Sequence, residues 1–255
     1  MKYKDKLKAQ DVDIQSGNPN QLTWRQHFLP YACMKHFTDE NNSIWVCKKG
    51  KASFRPLKRY EPGVVAARAW TQHIENTLNK KIESNFFKLQ RHLLATGFQP
   101  QFQDNDCLNR YLALWRTRFL HHEHDFEDVP LNGITPTNFS ADEREKSELR
   151  HGSDGGRFSG VDKNSILILR TYNNHYQHLK NTRWRLHSVT CDMEVVLPNT
   201  TTVPYLHLSP TKFLFPEAIP IDGGNPFDIA SLNYQLMLTC AGYFYCRDLS
   251  KVSRT

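Results

Sequence analysis

The chain has 255 residues, of which 39% are hydrophobic and 23% charged. That length can bury a sizeable core, and the composition excludes a wholly disordered chain. No apolar run approaches the roughly 20 residues that a spanning helix needs, so no membrane partner is expected. The formal net charge of +7 is concentrated at one end. Residues 1–60 hold 12 Lys/Arg against 5 Asp/Glu, whereas residues 61–255 hold 21 of each. Within that remainder, residues 123–154 carry nine acids and three bases. A basic block suits a phosphate-rich partner, and it equally suits a solvated tail.

The first segment, MKYKDKLKAQ, is charged and no apolar stretch follows, which predicts no secretory leader. The six cysteines show no C-x-x-C spacing, so a zinc ribbon is not expected. Free thiols and a cytoplasmic setting follow from that pattern. Residues 1–20 read as a flexible basic arm that ends in the turn sequence SGNPN, and residues 21–255 read as a single domain.

In chain order, QLTWRQHFLPYACMKHF (21–37) is dense in aromatics and histidine. SIWVC (43–47) and ASFRPL (52–57), separated by KKGK, predict a β-hairpin. Ile74, Leu78, Ile82, Phe86 or Phe87, Leu89 and Leu93 recur at helical spacing, and Gly97 and Pro100 end that helix. A second helix is expected over 104–122, with Leu108, Tyr111, Leu112, Trp115 and Phe119 on its buried face. The short connection predicts a helical hairpin. Residues 123–162 are acidic and poor in apolar residues, and they predict a mobile loop with a short helix near 140–150. A third helix is expected over 163–179. Strands follow at 183–189, 193–197, 204–209 and 212–215, then a helix near 226–240 and a strand at 242–246. The fold class is therefore α+β: a mixed or antiparallel sheet from N- and C-terminal strands, with an inserted long helical hairpin.

The segment RQHFLP contains an H-x-x-P motif, His27 and Pro30, followed by the strand sequence IWVCKKGKASFRP. Further on, HIENTLNKKIE supplies two spaced glutamates, Glu75 and Glu83. LALWRTRF supplies Arg116 and Thr117. Trp184 precedes TCDME with Asp192, and SLNYQLMLTCAGYFYC supplies Asn233 before an aromatic strand. In their order these motifs resemble a family of uncharacterised, mainly bacterial proteins, the domain of unknown function 4238. The chain departs from that pattern at Arg118, where the family carries proline, and after Asp192, where the family's Asn-Pro is missing. The resemblance spans most of residues 21–248 and implies no activity by itself.

The chemistry of the four separated residues points further. His27 suits proton transfer, Glu83 and Asp192 suit Mg²⁺, and Arg116 suits a phosphate. Together they read as a catalytic set, with Glu83 and Asp192 as the metal ligands. Each also has a purely structural reading: Arg116 and Glu83 can brace two helices, and His27 can brace the turn at Pro30. The HHEHD cluster (121–125) places His121, His124 and Asp125 on one helical face, which suits a transition metal or simply a helix end.

Aromatic residues interleave with Arg25, Lys48, Lys49, Lys51 and Arg55 in the N-terminal block, a pattern that suits either nucleic-acid binding or an ordinary core. No Walker A, dinucleotide fingerprint or G-x-S-x-G motif is present. The expected function is a nucleic-acid-acting effector, as a metal-dependent nuclease toxin of a bacterial defence or toxin–antitoxin system. Its partners would be nucleic acid and an antitoxin or defence protein. The alternatives are a non-catalytic nucleic-acid- or protein-binding component, and a transferase acting on a phosphorylated metabolite.

Overall fold

Strands from both ends of the chain meet in one antiparallel sheet. The structure, a computed structural model, describes residues 14–51, 54–57, 64–123, 126–135, 137–150 and 155–252. Strands β2 (Trp45–Lys48) and β3 (Phe54–Pro56) form the expected hairpin, with Cys47 opposite Phe54. The C-terminal strand β11 (Tyr243–Cys246) pairs with β2 on one side and with β8 (Leu197–Pro198) on the other, giving the order β3-β2-β11-β8. A second sheet, β7-β10-β9, is antiparallel and C-terminal: β7 is Trp184–Ser188, β9 Leu206–Ser209 and β10 Lys212–Pro216. The α+β expectation and the joining of N- and C-terminal strands both hold.

A two-stranded ribbon falls outside the sequence reading. β1 (Arg25–His27) pairs with β4 (Val65–Ala67), and Gln26 stands opposite Ala66. Buried Gln26 fixes this ribbon by exchanging two hydrogen bonds with the backbone of Trp70, at 2.7 and 3.1 Å. Behind Pro30 lies the short helix α1 (Tyr31–Met34).

The helical layer follows the apolar periodicity. α2 (Gln72–Ile74) starts behind Thr71, whose hydroxyl caps Ile74 N–H. A π-turn, Glu75–Asn79, leads directly into α3 (Lys80–Thr96). Gly97 takes φ +68°, a left-handed conformation that terminates α3. α4 (Asp104–Leu120) begins with Asp104 and Asp106 in its first turn, where the helix dipole favours negative charge. Phe86 of α3 stacks on Tyr111 of α4, ring centroids 3.6 Å apart. α4 packs even more extensively against α6 (Gly160–Leu179). The helices thus form a three-helix layer with α4 in the middle rather than an isolated pair.

In the acidic stretch, α5 (Ala141–Leu149) is the expected short helix, and a Ser140–Glu143 capping box starts it. Arg68 pairs with its Glu148, and Gln72 N–H donates to the same carboxylate at 2.8 Å. β5 (Val129–Pro130) and β6 (Arg157–Phe158) also close this stretch. Of the expected N-terminal arm, residues 1–13 lie outside the described residues. Gln15 and Asn20 dock on the same helix, donating to Glu145 at 2.7 and 2.8 Å. Of the strand expected at 193–197, only Leu197 joins a ladder. The Glu194 and Val195 amides instead donate to Lys251 and Pro210 carbonyls, and the Val196 amide donates to the Asn233 side chain. That diversion satisfies the backbone without a sheet.

The chain then enters α7 (Pro226–Thr239), capped by Asn225 with Pro226 at the first helical position. Two buried clusters fill the interior. One gathers Trp70, Phe86, Tyr111 and Trp115 among the helices, and the other gathers Tyr205, Phe213, Ile229 and Leu236 between α7 and the strands. Among the described residues, no helix is long and apolar enough to cross a membrane.

Candidate functional site

The ribbon and α2–α4 position the N-terminal motif residues. His27 lies opposite Val65 in the ribbon. The following Phe28 is buried against Phe119 and His122 at the end of α4, ring centroids 5.6 and 4.3 Å away. The H-x-x-P motif therefore ties the ribbon to α4, and Pro30, extended at φ −60° and ψ 134°, starts α1.

A buried polar centre forms where the π-turn faces α4. Glu83 of α3 pairs with Arg118 of α4, and the Arg118 guanidinium also lies 5.3 Å over the Trp70 ring. The Glu75 carboxylate accepts from Trp70 Nε1 at 2.7 Å and from Asn79 Nδ2 at 3.0 Å. Burial raises the Glu83 carboxyl above its ordinary range, and Arg118 draws it only part of the way back. Arg118 is held charged against its own burial by Glu83 and Glu75. Arg118 Nε and Asn79 Oδ1 are buried without a hydrogen-bond partner among the described residues. Next to this centre, the Cys33 thiol and the Tyr111 hydroxyl share a 2.9 Å hydrogen bond, and burial raises both groups.

The other two predicted site residues go elsewhere. Arg116 reaches away to the loop before β9 and donates to the carbonyls of Thr201, Thr202 and Val203 at 3.1, 2.8 and 3.0 Å. Its guanidinium is engaged there as a loop clasp. Asp192 sits on a loop with its side chain 73% exposed, 3.9 Å from Lys251 Nζ. Glu83 faces Arg118 in the interior, so the expected Glu83–Asp192 metal pair is not assembled. Among the described residues, no group of three or more His, Cys, Asp and Glu side chains is placed to hold a metal. His121 engages both ring nitrogens, with Asn164 at 2.9 Å and Thr171 at 3.0 Å; His124 and Asp125 lie outside the described residues.

No family model, curated protein or solved structure matches the chain. The site therefore rests on its own geometry.

The basic N-terminal residues divide into two groups. Lys48, Lys51 and Arg55 are exposed on the β2–β3 hairpin, and β3 is an outer strand of its sheet. Arg25 lies 4.1 Å over the Trp24 ring, a cation–π arrangement. Lys49 points the other way. Its ammonium donates to the carbonyls of Leu238 and Cys240, closing the C-terminal end of α7.

Sequence reasoning missed Arg118. The available signal was a charge inside an apolar stripe, since Arg118 follows Tyr111 by seven and Leu114 by four on the buried face of α4. All six cysteines are free thiols.

Proposed function

We propose that this chain acts on nucleic acid, as an effector that holds a phosphate backbone on its N-terminal hairpin. The observation that carries this reading is the exposed cluster Lys48, Lys51 and Arg55 on an outer strand pair. Cations there meet a flexible polyanion without burying their charge. Arg25 on Trp24 adds a guanidinium–aromatic stack of the kind that accepts bases. The resemblance to the domain-of-unknown-function-4238 family, carried by motif order, is compatible with this reading, as is a defence or toxin–antitoxin setting in which a partner protein restrains the effector.

A nuclease form of the reading is favoured by one observation. Glu83 is a buried carboxyl whose proton affinity is raised, beside a second carboxylate, Glu75. Such a pair suits general acid–base work. Mg²⁺ at Glu83 would have to displace Arg118, so the metal in this form enters with substrate or not at all. A transferase acting on a phosphorylated metabolite would use the same groups.

The test is gel-shift and cleavage of total RNA, single-stranded DNA and duplex DNA, with Mg²⁺ or EDTA. A Lys48→Ala/Lys51→Ala/Arg55→Ala variant should bind more weakly, and its slope of log affinity against log salt should fall by about 2 on single strands. Binding unchanged in that variant removes the hairpin reading. Mg²⁺-dependent cleavage lost in His27→Ala would favour the nuclease form over simple binding.

A further inference from the structure

The helical layer contains a concavity away from the hairpin. It opens between the π-turn, α3, α4 and α6 and encloses about 490 Å³. That lies within the range of small-molecule sites. Its walls divide by chemistry. Leu78 and Ile82 form an apolar ridge, continued by Cys107. Lys81 and Arg110 bring two cations, against Asp106 as the single acid. Asn85 and Gln103 add two amides.

The cation on α4 is fixed in advance. Arg110 Nε donates to Asp106 at 2.7 Å, and its Nη2 donates to Tyr176 Oη at 3.3 Å. Its guanidinium also lies 4.5 Å over the Tyr176 ring. Tyr176 Oη in turn donates to Asp106 at 2.5 Å. The one carboxylate of the cleft is thereby matched by Arg110 and a phenol. Lys81 projects exposed on α3. The Tyr172 hydroxyl is buried at the cleft wall beside the Arg110 guanidinium.

The local backbone adds a separate indication. The π-turn Glu75–Asn79 places Thr77 and Leu78 on the cleft. π-Turns are rare and concentrate at functional positions.

The geometry points to this cleft as a binding site for a nucleoside monophosphate: Lys81 and Arg110 take the phosphate, the amides of Asn85 and Gln103 take the base edge, and Leu78 and Ile82 carry its face. A guanidinium held flat by Asp106 and Tyr176 is preorganised for an oxyanion. An amide both donates and accepts, which matches the mixed edge of a base. Inorganic phosphate would use the cations alone. The site shares no residue with the hairpin, so either reading can fail without the other.

Isothermal titration of the full chain with AMP, GMP, CMP and UMP, and separately with inorganic phosphate, tests this. At least one mononucleotide should bind with a Kd below about 1 mM and at least tenfold more tightly than phosphate. Lys81→Ala and Asn85→Ala, both at exposed positions, should each weaken it about tenfold. Arg110→Lys, which keeps the charge and loses the flat fork, should also weaken it. Lys88→Ala, an exposed change further along α3, should leave it intact. The assignment is overturned by no binding of any mononucleotide, by phosphate binding as tightly as the nucleotides, or by affinity unchanged in Lys81→Ala and Asn85→Ala.

Discussion

Arg118 and Glu83 form an ion pair across the α3–α4 interface, under the ring of Trp70. Both side chains are largely buried, at 3% and 18% exposure. In that setting the pair is worth less for its attraction than for what its loss exposes. Glu83→Gln would leave Arg118 with Glu75 as its remaining charge partner. The expected effect is a loss of about 3 kcal/mol of unfolding free energy in urea, typical of breaking one side of a buried pair. The double change Glu83→Gln/Arg118→Met should recover part of that loss, because the stranded cation is removed as well. A Glu83→Gln midpoint equal to that of the parent would show that the pair carries no stability.

This pair also marks how far the sequence could be read. Two spaced glutamates and an arginine in the next helix were visible as a polar set, and Glu83 does meet an arginine. The arginine is Arg118, because a helix face and not a motif decides which side chain turns inward. Arg116 stands two positions earlier, about 200° away around the helix, and so faces the Thr201–Val203 loop. The long helices and the hairpin were legible because their apolar spacing is regular. The β1–β4 ribbon was not, since three-residue strands carry almost no period. Asp192 could not be placed either, because nothing local to a loop residue reports its distance from Glu83.

Arg116 therefore predicts a structural phenotype. Arg116→Ala removes three hydrogen bonds from loop carbonyls, and Arg116→Lys cannot reproduce the fork. Both should lower stability by roughly 1–3 kcal/mol. Amide hydrogen exchange should accelerate around Thr201–Val203 and remain unchanged in α3. A variant with unaltered exchange there but abolished nucleic-acid processing would restore the phosphate-clamp role.

Asn233 is the clearest case of a motif residue with a packing role. It is fully buried in α7, donates to the carbonyls of Glu194 and Val252 at 2.8 and 3.3 Å, and accepts from Val196 N–H at 2.9 Å. Asn233→Ala strands three backbone groups in the interior. About 3 kcal/mol of destabilisation is expected, together with loss of protection at the Val196 amide. Asn233→Asp should fare worse than Asn233→Ala, since it keeps the acceptor but sets a carboxylate against two carbonyls. Equal thermal midpoints for parent and Asn233→Ala would show that these three hydrogen bonds carry no stability.

His207 should set the acid limit of the fold. It is fully buried on β9, with Trp115, Phe37 and Tyr205 around it at ring-centroid distances of 5.0, 6.0 and 6.4 Å. Neither ring nitrogen has a hydrogen-bond partner among the described residues. Burial pushes its pKa down to about 3, and the nearby His36 adds a smaller push in the same direction. The unfolded chain binds a proton near pH 6.5, and the folded chain does not until about pH 3. The stability tied to neutral His207 is therefore complete above pH 6.5 and drains away as the pH falls towards 3. One proton taken up on unfolding corresponds to about 1.4 kcal/mol per pH unit within that window. Urea midpoints measured from pH 7 to pH 4 should fall accordingly. His207→Phe, which fits an aromatic surround without a titrating nitrogen, should flatten the curve by about that slope while His36 still titrates. A parent curve flat across this range, or one equally steep in His207→Phe, would place the acid sensitivity in other groups.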